Sequence, residues 1–170
     1  MEKKIPQFSR STERVTAKQA LASALRILTR RDLSVAELKR RLEDKGISGL
    51  LVEETVLHLE KLGYLDDRRF ARQWADSAMR NGRGYGPRLR LELLRRGVQA
   101  EIVTDVLASL DDEYDETEML TALLSRKFDG FNPATAADRE KRRVMQYLQR
   151  RGFSTTAIFH AFRKIEDDQE

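Results

Sequence analysis

In this chain of 170 residues, chemistry could come from a pair of carboxylates, a cluster of glycines and two histidines. Asp66 and Asp67 stand beside a turn in Gly63-Tyr64-Leu65-Asp66-Asp67-Arg68-Arg69-Phe70. Such a pair could ligate a metal ion or share acid/base work. Neighbouring residues on a helix point about 100° apart, however, and no His, Glu or third Asp follows at ligand spacing. An aspartate N-cap with a second acid in the first turn, facing the positive end of the helix dipole, accounts for both. Gly82, Gly84 and Gly86 suggest a phosphate loop, but their spacing matches neither phosphate-binding pattern and no strand precedes them. An interhelical turn is the better reading, with its arginines near the start of the next helix. The chain has no cysteine, which removes thiolate nucleophiles, disulfides and cysteine zinc sites. His58 and His160 read as surface or boundary positions, and no nucleophile constellation forms from neighbouring motifs. No enzymatic activity, metal or cofactor is expected.

Binding chemistry is better represented. Residues 68–110 carry nine basic side chains, all arginine, against four acidic ones. Residues 1–67 are close to balance and residues 111–170 are net acidic. The candidate partner-binding residues are Lys39 and Arg40 early in the chain, then Arg68, Arg69, Arg72, Arg80, Arg83, Arg88, Arg90, Arg95 and Arg96. Arginine's planar fork suits carboxylates and phosphates, and basic helices in series could form one track. The alternative is a solvated face with salt bridges to Glu37, Glu43, Asp44, Glu92 and Glu101. Both readings stay open at this point.

The elements that position these residues emerge from three glycines, Gly46, Gly97 and Gly152. Eight residues before them stand Leu38, Leu89 and Val144; four before, Leu42, Leu93 and Leu148; one after, Ile47, Val98 and Phe153. Four further apolar positions align without a gap, so the chain is an internal triplicate. The intervals predict helix, turn, helix, with glycine where the backbone must turn left-handed. Another helical stripe precedes each pair, Phe70 and Trp74 being core positions of the second. The predicted fold is therefore all-α: three tandem three-helix bundles in an elongated, curved array. The expected divisions are a tail at 1–15 and repeats at 16–65, 66–112 and 113–170. Ser34 to Glu37 forms a capping box, and Asn132-Pro133 reads as a helix start. No stretch reaches transmembrane length and the N-terminus lacks a signal-type apolar run. A cytoplasmic monomer without membrane contact is expected.

The stretch Gly63-Tyr64-Leu65-Asp66-Asp67-Arg68-Arg69-Phe70-Ala71-Arg72-Gln73-Trp74 resembles the RecX regulatory proteins, which act on the bacterial recombinase RecA. It is preceded by Ser34-x-x-Glu37-Leu38 and followed by Leu89-x-x-Glu92-Leu93-x-x-x-Gly97-Val98, and the resemblance spans roughly residues 18–166. It implies a non-enzymatic modulator that binds the RecA–DNA filament, commonly in its helical groove, and inhibits ATP hydrolysis and strand exchange. Single- or double-stranded DNA is a further possible partner. A plain DNA-binding module and a scaffold for another acidic protein use the same basic helices.

Overall fold

The computed structural model describes residues 15–167. Residues 1–14 of the expected tail and 168–170 of the expected third repeat lie outside the described residues. The described chain is all-α and carries nine helices in three units. The first unit holds α1 (Ala17–Leu28), α2 (Val35–Glu43) and α3 (Gly49–Lys61). The second holds α4 (Asp67–Arg80), α5 (Gly86–Arg95) and α6 (Ala100–Asp111). The third holds α7 (Glu116–Lys127), α8 (Asp138–Arg150) and α9 (Thr155–Asp167).

Six of the seven aligned apolar positions are buried in all three units; at the seventh, Leu51 and Ile102 are half-buried beside a buried Ala157. The glycine rulers thus register the core. Each also marks the same backbone closure. Gly46, Gly97 and Gly152 have φ of 80°, 82° and 96°. The residue after each donates its N–H to the carbonyl five positions back: Ile47 to Leu42, Val98 to Leu93, Phe153 to Leu148. Those bonds satisfy carbonyls that a helix end leaves unpaired.

Helix starts are equally local. Ser34 caps α2 in the predicted capping box, and Thr16 with Gln19 forms another ahead of α1. Asn132-Pro133 does not start α8, a correction to the sequence reading. The Asn132 side chain instead accepts from the Ala134 N–H at 2.8 Å, an Asx-type turn, and α8 begins at Asp138. Phe131, packed against Phe162 at 5.4 Å between ring centroids, anchors the chain there and delays the helix.

Two apolar cores result. The first unit closes its own around Ala24, Leu38, Val52 and Leu59. The second and third share one, running from Phe70 through Leu110 and Leu120 to Ile165. Among the described residues, hydrogen bonds and ion pairs between units run from first to second and from second to third.

Both joints use one device. The last turn of a second helix sits on the first turn of the preceding unit's second helix. At the first joint the buried Ser34 hydroxyl accepts from the Glu37 N–H and donates to the Arg96 carbonyl at 2.5 Å. The Arg96 guanidinium pairs with Glu37 at 2.5 Å. At the second joint the Tyr85 N–H donates to the Arg151 carbonyl at 2.8 Å, and the Arg151 guanidinium reaches the Gly82 carbonyl. A Cβ on Gly97 would overlap the Ala36 Cβ, and one on Gly152 would overlap the Tyr85 carbonyl and stand 2.8 Å from the Arg88 Cβ. A Cβ on Gly46, in the first unit, would meet nothing within 4 Å. Arg96 and Arg151 therefore do more than oppose their own helix dipoles: they reach into the neighbouring unit.

Asp67 completes the first joint. Its carboxylate accepts from the Val35 N–H, the first of α2, at 2.8 Å. Burial pushes its pKa above the ordinary carboxylate value, against the lowering effect of that hydrogen bond. A raised acid pKa means that the fold favours the protonated form. Its share of stability is largest at low pH and falls as pH rises from the ordinary value through the raised one.

Two outcomes are expected from chemical unfolding. Gly46→Ala costs about 1–2 kcal/mol, the strain of a left-handed alanine. Gly97→Ala loses about 1–3 kcal/mol more through the overlap with Ala36, part of which returns on adding Ala36→Gly. Equal losses at the two glycines would remove the close approach from the joint. Asp67→Asn keeps the acceptor and stays near wild type at neutral pH, with a flatter fall in stability between acid and neutral pH. Asp67→Ala leaves the Val35 N–H unpaired and loses about 1–3 kcal/mol; wild-type stability in that variant would contradict the assignment.

Candidate partner-binding surface

Asp66 and Asp67 occupy the positions expected of a cap and a first-turn acid. Asp66 accepts from the Arg69 N–H at 2.9 Å at the start of α4, while Asp67 serves the joint. Gly63, with φ of 73°, turns the chain out of α3; the Arg69 guanidinium donates to its carbonyl at 3.0 Å. Tyr64 is exposed and Leu65 is buried in the first core. The glycine turn 82–86 seats the third unit: Arg151 and Tyr85 bond across it, and the rings of Tyr85 and Phe153 stack at 5.3 Å. His58 and His160 are exposed.

Trp74 departs from the core position expected for it. It is half-buried, its ring stacked with Phe70 at 6.2 Å. Its Nε1–H donates to Glu92 at 3.3 Å, and the Arg96 guanidinium lies 3.5 Å from the ring centroid. The cause is that α4 and α5 meet the first unit here, so the indole covers a joint rather than the centre of a bundle. Arg31, Asp32, Phe70, Gln73, Ser77 and Arg83 line the same cleft of about 250 Å³.

The candidate cations fall into three settings. Arg68 and Arg72 cross from α4 to α6, pairing at 2.7 Å with Asp105 and Glu113. Arg90 spans α5 to α6, donating to the Thr104 hydroxyl at 2.9 Å. Arg80 pairs with Asp76, which also accepts from the Tyr114 hydroxyl; that bond raises the Tyr114 pKa. Lys39 pairs with Glu53 at 2.7 Å and Arg88 with Glu92 at 3.1 Å. Arg83 donates to the Ser77 hydroxyl at 3.1 Å beside the Trp74 cleft. Arg40 and Arg95 are exposed. Exposed pairs are worth only about 0–1 kcal/mol, so these side chains can exchange an internal partner for an external one. Arg96 cannot do so without opening the joint, because its side chain, 27% exposed, holds Glu37 and covers Trp74.

Sequence reading missed one feature of this surface. On α5, Leu91 and Leu94 are 44% and 38% exposed among the arginines, giving a mixed apolar and basic face. The triplicate alignment leaves both outside the core register, which was the available signal. Burial pushes the Tyr85 hydroxyl pKa up, with nearby Asp111 adding to it, so that side chain stays neutral at the base of this helix. Among the described residues, no helix is long and apolar enough to cross a membrane.

Family models for the first, second and third three-helix domains of RecX match residues 20–59, 66–107 and 113–162, in that order. The chain is 37% identical over 143 residues to the regulatory protein RecX of Syntrophotalea carbinolica, covering 84% of this chain and 94% of the other. It is 39% identical over 142 residues to that of Trichlorobacter lovleyi, covering 84% and 92%. The crystal structure of RecX from Lactobacillus salivarius shares the fold, with a TM-score of 0.69 at 20% identity over 88% of this chain and 96% of that one. With all three domains matched in sequence order, the chain belongs to the RecX family of regulatory proteins.

Proposed function

We propose that the protein is a non-enzymatic regulator of the RecA recombinase, which binds the RecA–DNA filament in its helical groove and inhibits ATP hydrolysis and strand exchange. The observation that carries this reading is the outer face of α5. Arg88, Arg90 and Arg95 stand there with the exposed Leu91 and Leu94, on the central unit of the array. Arginine beside exposed apolar area suits a protein interface, whose buried centre is more apolar than the surface and enriched in arginine. The joints hold the units on either side of this helix in register, so the face can meet a repeating polymer together with its neighbours. The carboxylates and glycine turn that could have suggested catalysis are occupied by caps and joints.

Arg88→Glu/Arg90→Glu/Arg95→Glu is expected to weaken filament binding and inhibition of RecA ATPase by about tenfold or more, the effect of a few lost charge contacts of 1–2 kcal/mol in total. Arg96 is left intact because it belongs to the joint. Circular dichroism and melting of the variant should stay near wild type. Unaltered inhibition by a folded variant would remove α5 from the interface.

A further inference from the structure

The first unit carries a second charged surface of a different kind. Arg26, Arg30, Arg31, Arg40, Arg41 and Lys45 are all exposed at the end of α1, along α2 and in the turns after them. They line two adjoining clefts of about 320 and 510 Å³ between these helices, which share Ile27, Arg41 and Lys45. Among the described residues, none of the six side chains forms an ion pair or hydrogen bond. The second unit differs, since Arg68, Arg72, Arg80, Arg88 and Arg96 are each paired with a carboxylate.

Internal compensation at these clefts is small. Among the described residues two acids line them, and Glu37 is committed to Arg96, leaving Asp44. The C-terminal ends of α1 and α2 add about −0.5 each. Six cations against these leave an excess of about +4 in one groove, which a partner with dense charge of one sign would neutralise. Arg26 on α1 is followed by Arg30 in the turn after it, and Arg41 on α2 by Lys45 in the turn after it, so both sides of the groove carry cations in series. Among the described residues, no aromatic side chain lines either cleft, and stacking of unpaired bases would need such a platform.

We infer that the α1–α2 groove of the first unit is a binding site for the phosphate backbone of duplex nucleic acid, engaged without base readout. The site is separate from the α5 face and needs no recombinase. Five guanidinium forks and one ammonium hold successive phosphates, and released counterions drive the association.

The test measures binding of the full chain to a short fluorescent DNA duplex of arbitrary sequence across a salt series, with no recombinase present. Arg26→Gln/Arg30→Gln/Arg41→Gln/Lys45→Gln is compared with Arg139→Gln/Arg142→Gln/Arg143→Gln/Arg150→Gln, an equal loss of charge from exposed positions on α8. The first-unit variant should lose about tenfold or more in affinity, its salt slope becoming shallower by about 0.9 for each phosphate contact removed. The α8 variant should change far less, and both should keep wild-type helicity. Single-stranded homopolymer should bind no tighter than duplex. Undetectable duplex binding by the wild-type chain, equal losses in the two variants, or tighter binding of the single strand would each overturn the proposal. So would a loss confined to RecA-filament binding, which would give the groove to protein carboxylates. Duplex binding as described, by a chain that does not inhibit RecA, would instead defeat the functional reading and leave the groove standing.

Discussion

A helix end must find partners for its last carbonyls, and the joints between the three units are built around that need. A small three-helix unit buries too little surface to shield both of its ends, so each array joint uses one unit's surplus donors to satisfy the next unit's surplus acceptors. Ser34 and the Tyr85 N–H, at or just before the start of a helix, bond the carbonyls of Arg96 and Arg151 at the end of another. Contact this close requires that no side chain stand at residue 97 or 152. The left-handed glycine that ends the helix therefore also permits the joint.

The two joints are not equally strong. Between second and third units the stacked rings of Tyr85 and Phe153 extend one apolar core through both. Between first and second the bond is mainly polar: Ser34, Glu37 and the α2 amide of Val35 on one side, Asp67 and Arg96 on the other. Polar joints gain modestly per contact, but breaking one partner strands the other. The first unit is thus held by geometry more than by buried area. Its cations, unpaired among the described residues, and the five carboxylate-paired arginines of the second unit give the array two charged surfaces of different character.

Much of this was legible in the residues. Spacing around Gly46, Gly97 and Gly152 fixed the core register because helix periodicity and a left-handed turn are local constraints. The capping box at Ser34 and the cap at Asp66 were local too. What spacing could not show was contact between units. The same glycine serves a turn alone at residue 46 and a close approach at residue 97, and only the third dimension tells them apart. Trp74 was misplaced for the same reason, since period alone does not separate a bundle centre from a joint. Asn132-Pro133 carried a genuine capping signal, but burial of Phe131 outweighed it. Charge counting found the cations; their partners, which lie 14 to 59 residues away for Lys39, Arg68, Arg72 and Arg96, were beyond its reach.

Under the proposed function, the joined units act as one body on a polymer. This is tested most directly by inhibition of RecA ATPase with the Glu37→Gln/Arg96→Gln chain, at a temperature where circular dichroism shows every helix intact and Trp74 fluorescence shows the joint altered. Inhibition clearly weaker than wild type is expected, because the first and central units would then meet the filament independently. Wild-type inhibition by that uncoupled chain would contradict it.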